Sequence, residues 1–325
     1  MAPGRARAGE PPALAVIIDT EEEFDWFAPF TRASVGIGHL RQIGRLQAVF
    51  ERWGVRPVYV VDHPVISQEP GIEAVRRLLQ DGRALVGAHL HPWVSPPFEE
   101  EVNARNSFPG NLPPALEREK LTLLRAGIEA GLGVRPAIYK AGRYGIGPNT
   151  FAIIEELGFT VDVSPSPPFD YRDAGGPDFS RRGLAPRWVG PGRSVLSLPA
   201  TGALIGRLPN PLLYRLARAA HIAPLRLAGI LAGLGVVERI KLSPEGYSGD
   251  EMMRLVRWLH ARGERLFVLS LHSPSIEPGH TPYVRNAEEL DALLLRLDEF
   301  LRFFMTVLGG VPTDPLAVRE AYPAA

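Results

Sequence analysis

Short apolar runs and longer amphipathic stretches take turns along this chain. Leu14-Ala15-Val16-Ile17-Ile18-Asp19 is apolar until its last residue, the pattern of a strand covered on both faces. Over 39–53, Leu40, Ile43, Leu46, Val49 and Phe50 recur at helical spacing, and Gly54 is suited to end that helix. Val58-Tyr59-Val60-Val61-Asp62 predicts the next strand, 72–79 a helix, and Leu85-Val86-Gly87-Ala88-His89 another strand. Helices are then expected over 116–130 and 150–157, and extended segments over 137–140 and 160–163. After a Pro/Gly/Asp-rich stretch come a strand over 194–198, two short helices over 212–220 and 225–234, and strands over 239–242 and 266–271. A helix over 248–262 separates those last two strands, and another runs from 287 to about 308. Seven or eight strand–helix units predict a parallel sheet, closed into a barrel or doubly wound.

The polar residues at strand ends favour the barrel. Asp19 with Glu21, Asp62 with His63, His89 with His91, Lys140 with Arg143, then Asp162 and His272 all fall at the carboxyl ends of predicted strands, the edge where such folds place their sites. Groups from so many separate strands converge only if the sheet curves round on itself. The expected organisation is one distorted (β/α) barrel of about seven parallel strands over 13–310, with a disordered Pro/Gly-rich tail at 1–12 and a second tail at 311–325. The segment 172–193 reads as a long loop, and loops of that length are usually functional.

Composition narrows the function. The 325 residues carry 36 Lys+Arg against 36 Asp+Glu, with 45% hydrophobic residues, an ordinary globular balance without the basic excess that nucleic acid demands. Cysteine is absent, which excludes disulfides and thiolate metal sites. The longest apolar stretch, 227–237, falls far short of the ~20 residues of a membrane span. With no secretory pattern at its start, the chain is expected to be cytoplasmic. Between 207 and 239, five arginines and one glutamate interleave with apolar residues. Two ordinary flanking helices are the plainer reading; a basic lid meeting an acidic saccharide or an anionic membrane surface is the other.

Four segments carry candidate chemistry. The acidic run Asp19-Thr20-Glu21-Glu22-Glu23-Phe24-Asp25-Trp26 is either a solvated loop or a cluster holding a cation, and the apolar run leading into Asp19 favours the cation. His89 and His91 point the same way from a strand, with Cα atoms about 6.6 Å apart, so both rings can reach one ion at ~2.0–2.1 Å. Imidazole with carboxylate suits one divalent metal, zinc ahead of iron, cobalt, nickel or manganese. Arg143, between Gly142 and Gly145, either pairs with a carboxylate or sits in a surface turn. His272 ends a buried strand and suits a general acid near neutral pH. His280, in a Pro/Gly-rich loop, serves substrate contact or loop packing. No Gly-rich phosphate fingerprint joins a strand to a helix, so no organic cofactor is expected.

In this order the segments resemble the NodB-type polysaccharide deacetylases (carbohydrate esterase family four), above all a bacterial subgroup called WalW-like. The resemblance spans about 13–310 and rests on Ile18-Asp19-Thr20-Glu21, Ala88-His89-Leu90-His91-Pro92-Trp93 and Leu269-Ser270-Leu271-His272-Ser273-Pro274. It implies a distorted (β/α) barrel and a metal-dependent deacetylase acting on an acetylated sugar or exopolysaccharide intermediate. By resemblance Asp19 is the base, Glu21, His89 and His91 hold the metal, Arg143 braces the base, the Tyr144 amide faces the oxyanion and His272 is the acid. Trp26, Trp93, Asp162, His280 and Tyr283 are expected to bind substrate. The chain departs from the family pattern in Thr20, where adjacent aspartates are common, and in histidines two rather than four apart. Arg143-Tyr144-Gly145 also replaces an Arg-Pro-Pro-Tyr-like turn. The same barrel would also support hydrolysis of a small non-sugar amide or cyclic imide, or a metal-free carbohydrate-binding or assembly role. Oligomeric state is not set by the sequence.

Overall fold

The computed structural model describes residues 10–217 and 227–323. Its strands are β1 (Ala13–Thr20), β2 (Val58–Val61), β3 (Leu85–Leu90), β4 (Ile138–Ala141), β5 (Val161–Asp162), β6 (Arg187–Val189), β7 (Val195–Ser197), β8 (Gly202–Ile205), β9 (Glu238–Lys241), β10 (Leu266–His272) and β11 (Val311–Pro312). Seven of them run parallel in the order β10-β1-β2-β3-β4-β5-β7, and β6 closes the far edge antiparallel to β7. The fold is an α/β half-barrel, a curled parallel sheet that matches the expected distorted (β/α) barrel of NodB-like form. The β8–β9 hairpin stands beside its open seam. Thr201 N–H donates to Val268 O, Leu242 N–H to Thr201 O and Ser270 N–H to Leu242 O, tying the hairpin to β10.

Alternation along each strand decides what meets helix and what meets the barrel interior. Leu14, Val16 and Ile18 of β1 face the helical layer. Ala15 and Ile17 face inward, packed with Val58, Val60, Ile138, Val161, Val163, Leu198 and Val268. Continuing the inward series by two residues brings up Asp19 on β1, Asp62 after β2, His89 on β3, Lys140 on β4 and His272 on β10. One parity therefore fills the lower barrel with branched aliphatic side chains and arms its carboxyl rim with charge.

The helices form because their apolar spacing can be buried against the outer sheet face. Ile43–Arg52 buries Ile43, Leu46, Val49 and Phe50. Gly249–His260 begins with a reciprocal cap in which Ser248 and Glu251 satisfy each other's backbone N–H groups. Ala287–Arg302 starts behind Asn286, whose side chain accepts from Glu289 N–H.

Two expectations change here. Residues 311–323, expected as a tail, carry β11, paired to the start of β1, and the helix Pro315–Ala321. Leu316 and Val318 of that helix pack against the barrel interior, because an aliphatic barrel floor needs a cover. The 172–193 loop contains β6. Of the two helices expected over 212–220 and 225–234, Pro211–Ala217 and Leu227–Gly233 are seen. Residues 218–226 lie outside the described residues, as do 1–9 of the expected N-terminal tail and 324–325. Among the described residues no helix is long and apolar enough to cross a membrane.

Candidate active site

A cavity of about 370 Å³ opens at the carboxyl rim, with Asp19, Glu21, His89, His91 and His272 in its wall. On one side, Glu21, His89 and His91 bring their ligand atoms within 4.8 Å of one another, all buried. His89 Nδ1 lies 3.0 Å from the Lys140 carbonyl. A carbonyl only accepts, so Nδ1 carries the proton and a neutral ring leaves Nε2 bare. Nε2 nevertheless sits 3.2 Å from Glu21 Oε2, and His91 Nε2 lies 3.5 Å from the same oxygen. Acceptors this close need a proton or a metal cation among them. The other Glu21 oxygen, Oε1, is buried without a hydrogen-bond partner.

The surroundings suit an ion. His91 Nδ1 is 2.7 Å from Glu22 Oε2, so both histidines have the outer nitrogen held by an oxygen, the arrangement that orients metal-binding imidazoles. Glu22 N–H donates to Asp62 Oδ2 at 2.7 Å, and Asp62 Oδ1 accepts from Val65 N–H. Burial pushes Glu21 up to about 7 and Glu22 up to about 8. Asp62 is raised well above its usual range, by burial first and Glu22 second. Burial drives His91 down to about 4. Three carboxylates and two imidazoles thus lie together, among the described residues with no lysine or arginine ion pair to those carboxylates, and Glu21, His89 and His91 or Glu22, Asp62 and His91 could hold a metal ion.

The other side is balanced. Lys140 Nζ donates to both Asp19 oxygens at 2.5 and 2.6 Å. Burial alone would raise the Asp19 carboxyl; Lys140, with His89 and His272, outweighs it and holds the group well below the ordinary carboxylate range. His272 Nδ1 lies 2.7 Å from Glu245 Oε2, and its backbone N–H donates to Glu245 Oε1. Burial opposes charge on this ring, but Glu245, followed by Glu21 and Asp19, raises it to about 9. His272 Nε2 faces Asp19 Oδ2 at 3.7 Å. A carboxylate kept ionised and an imidazole kept protonated therefore flank one small space.

The candidates named from sequence separate clearly. Asp19, Glu21, His89, His91 and His272 come together, with Trp26, Arg143, Tyr144 and Tyr283 around the mouth. Trp26 meets His272 edge-on at 5.1 Å and Tyr283 at 5.7 Å. Arg143 does not brace Asp19. Its guanidinium lies over Phe30 and Phe108 at 5.0 and 4.1 Å and donates to the Ser107 hydroxyl and the Ala104 carbonyl. Arg143 and Tyr144 both adopt left-handed backbone, φ 53° and 61°, a conformation that costs ~1–2 kcal/mol per residue and turns the Arg143 side chain to the mouth. Lys140, on the inward parity, takes its place. Trp93 is buried behind His91 and Phe30, at 4.2 and 4.4 Å between ring centres, and does not reach the cavity. Asp162 has the opposite parity to Val161 and Val163; it accepts from Ser164 N–H and Ser197 Oγ. His280 lines a neighbouring cavity instead, 3.9 Å from Glu23.

Glu22, Asp62, Lys241 and Glu245 complete the site; the sequence places Glu22 in the acidic run and Asp62 at a strand end without giving either a role, and does not mark Lys241 or Glu245. The inward parity of β2 marks Asp62, as that of β4 marks Lys140. No local signal marks Glu245, which enters from the segment after β9.

Several solved structures share this fold. A Mycobacterium smegmatis protein assigned to the polysaccharide deacetylases matches with TM-score 0.56 and 14% identity over 98% of this chain and 93% of its own. Puue allantoinase matches with TM-score 0.56 and 16% identity, over 95% and 89%. A Pseudomonas aeruginosa PAO1 protein, also assigned as a polysaccharide deacetylase, gives 0.51 and 17%, over 90% and 84%. The fold is NodB-like. No protein-family model and no curated protein matches the chain.

Proposed function

We propose that this protein is a metal-dependent deacetylase that hydrolyses the N-acetyl group of an acetylated sugar or exopolysaccharide intermediate, as the WalW-like resemblance implies. The observation that carries the reading is the pairing of two unlike groups on one rim. Glu21, His89 and His91 converge with a shared need for a cation, beside an Asp19 kept ionised by Lys140. The fold shared with assigned polysaccharide deacetylases and an allantoinase supports an amide hydrolase.

Glu21, His89 and His91 would hold one divalent ion, zinc first, and such an ion supplies carbonyl polarisation and a more acidic water. Asp19 takes a proton from the attacking water at a carboxylate oxygen; Lys140 keeps that oxygen charged until then. The water oxygen bonds to the acyl carbon, the C–N bond breaks, and His272 Nε2 delivers its proton to the departing nitrogen. Glu245 holds His272 in its protonated form and fixes the ring. Acetate and a free amine leave. Trp26 and Tyr283 crowd the mouth, limiting water around the reacting groups.

A second reading, hydrolysis of a small amide or cyclic imide, is favoured by the size of the cavity. About 370 Å³ lies near the small end of ligand sites. Elemental analysis with acetate-release and ring-opening assays on a panel of acetylated sugars and imides tests both. One equivalent of metal with acetate release is expected. Ring opening alone would favour the second reading. Metal far below one equivalent that cannot be restored would remove both.

A further inference from the structure

The cavity wall holds cations that form no ion pair with a carboxylate among the described residues. Lys241 ends β9, and its ammonium lies 4.4 Å from the centre of the Tyr144 ring, donating to the Tyr144 hydroxyl. Among the described residues it has no ion pair and no second hydrogen-bond partner, which leaves two of its three N–H donors open. The nearby carboxylates are already engaged: Asp19 by Lys140, Glu245 by His272 and Ser275. Arg143, also in the wall, rests on aromatic faces and neutral oxygens. Behind Phe169, Arg239 is likewise held by rings, 4.1 Å from Phe169 and 5.2 Å from Tyr214.

Buried or half-buried cations normally pair. Here the carboxylates of the wall are paired elsewhere, and aromatic faces steady the cation without cancelling its charge. Lys140 shows what saturation looks like beside the same ring: its ammonium is 5.2 Å from the Tyr144 ring centre, yet both Asp19 oxygens occupy it.

We propose that the substrate carries a carboxylate, received by Lys241 at the mouth while its acyl amide lies against Asp19 and His272. This rests on the amide-hydrolase reading above and adds the substrate's charge. One ammonium with one phenol matches a single negative charge and the compact geometry of a carboxylate. A sugar acid and an acylated amino acid share that chemistry.

The test uses the metal-loaded protein and two matched pairs. These are N-acetylglucosamine with N-acetylglucosaminuronate, and N-acetylalaninamide with N-acetylalanine. Stopped-flow tryptophan fluorescence reads binding before turnover, and acetate release is followed separately. In at least one pair the carboxylate member should bind about 10- to 100-fold more tightly. The preference should collapse in Lys241→Gln and persist in Lys241→Arg. Whichever pair shows it identifies the sugar-acid or amino-acid source. If neither carboxylate outbinds its neutral partner in the unmodified protein, or Lys241→Gln keeps the preference, the proposal is overturned. Acetate release without carboxylate preference removes this proposal and leaves the deacetylase reading. Carboxylate preference without acetate release keeps the anion site and removes the deacetylase reading.

Discussion

The two sides of the cavity floor are built from the same kinds of side chain and reach opposite electrostatic solutions. On one, Asp19 with Lys140 and His272 with Glu245 form closed pairs. On the other, Glu21, Glu22 and Asp62 crowd two imidazoles, among the described residues with no lysine or arginine ion pair, and the glutamate carboxyls rise in pKa because burial outweighs the histidines and hydrogen bonds that oppose it. Burial is similar on both sides, so it is not the cause. The position of one lysine is. Where Lys140 stands, a buried aspartate stays charged; where none stands, the protein leaves a gap that a proton or a metal ion must fill.

That contrast can be broken from either side. The largest effect is expected for Asp19→Asn, with acetate release falling about 10²–10⁴-fold while bound metal, read by elemental analysis, stays near stoichiometric. Glu21→Gln should instead lose metal first and activity with it; the reverse pattern would exchange the two roles. Next is Lys140→Met, which strands a buried carboxylate and should lower stability by about 3–5 kcal/mol in chemical denaturation. Adding Asp19→Asn to it should recover most of that loss, since the pair acts as a unit. A smaller change is expected for Glu22→Gln, which loosens the outer hold on His91 and should weaken metal affinity roughly 10–100-fold in a chelator competition. Smallest is Asp162→Asn. It should cost about 1–3 kcal/mol through lost buried hydrogen bonds and leave acetate release near its starting value, because Asp162 faces away from the cavity.

Strand alternation explains both what could be read from the sequence and what was misread. The seven parallel strands followed from apolar runs alone, and Asp19, His89 and His272 followed from their places at strand ends. The same alternation, carried one step further, separates Lys140 from Arg143: Ile138 faces the barrel interior, so Lys140 does too, whereas Arg143 lies past the strand in a left-handed turn. It also turns Asp162 outward, between inward Val161 and Val163. Lys241 and Glu245 follow a different logic. They arrive on a hairpin outside the parallel sheet, and only its docking against β10 through Thr201 and Leu242 brings them to the rim. The chain end was misjudged for a related reason: the need to cover Ala15 and Ile17 is visible only once the barrel exists.

The pairing of β1 with β10 sets a timetable for the newly made chain. Ala13 lies opposite Leu266, so one edge of β1 waits for a partner encoded about 250 residues later. At ~5–20 residues per second the wait is roughly 10–50 s. Throughout that interval a strand buried from Leu14 to Thr20 in the finished protein presents open backbone and aliphatic side chains on the ribosome. Helpers that shield nascent chains should therefore engage this protein early and release it late.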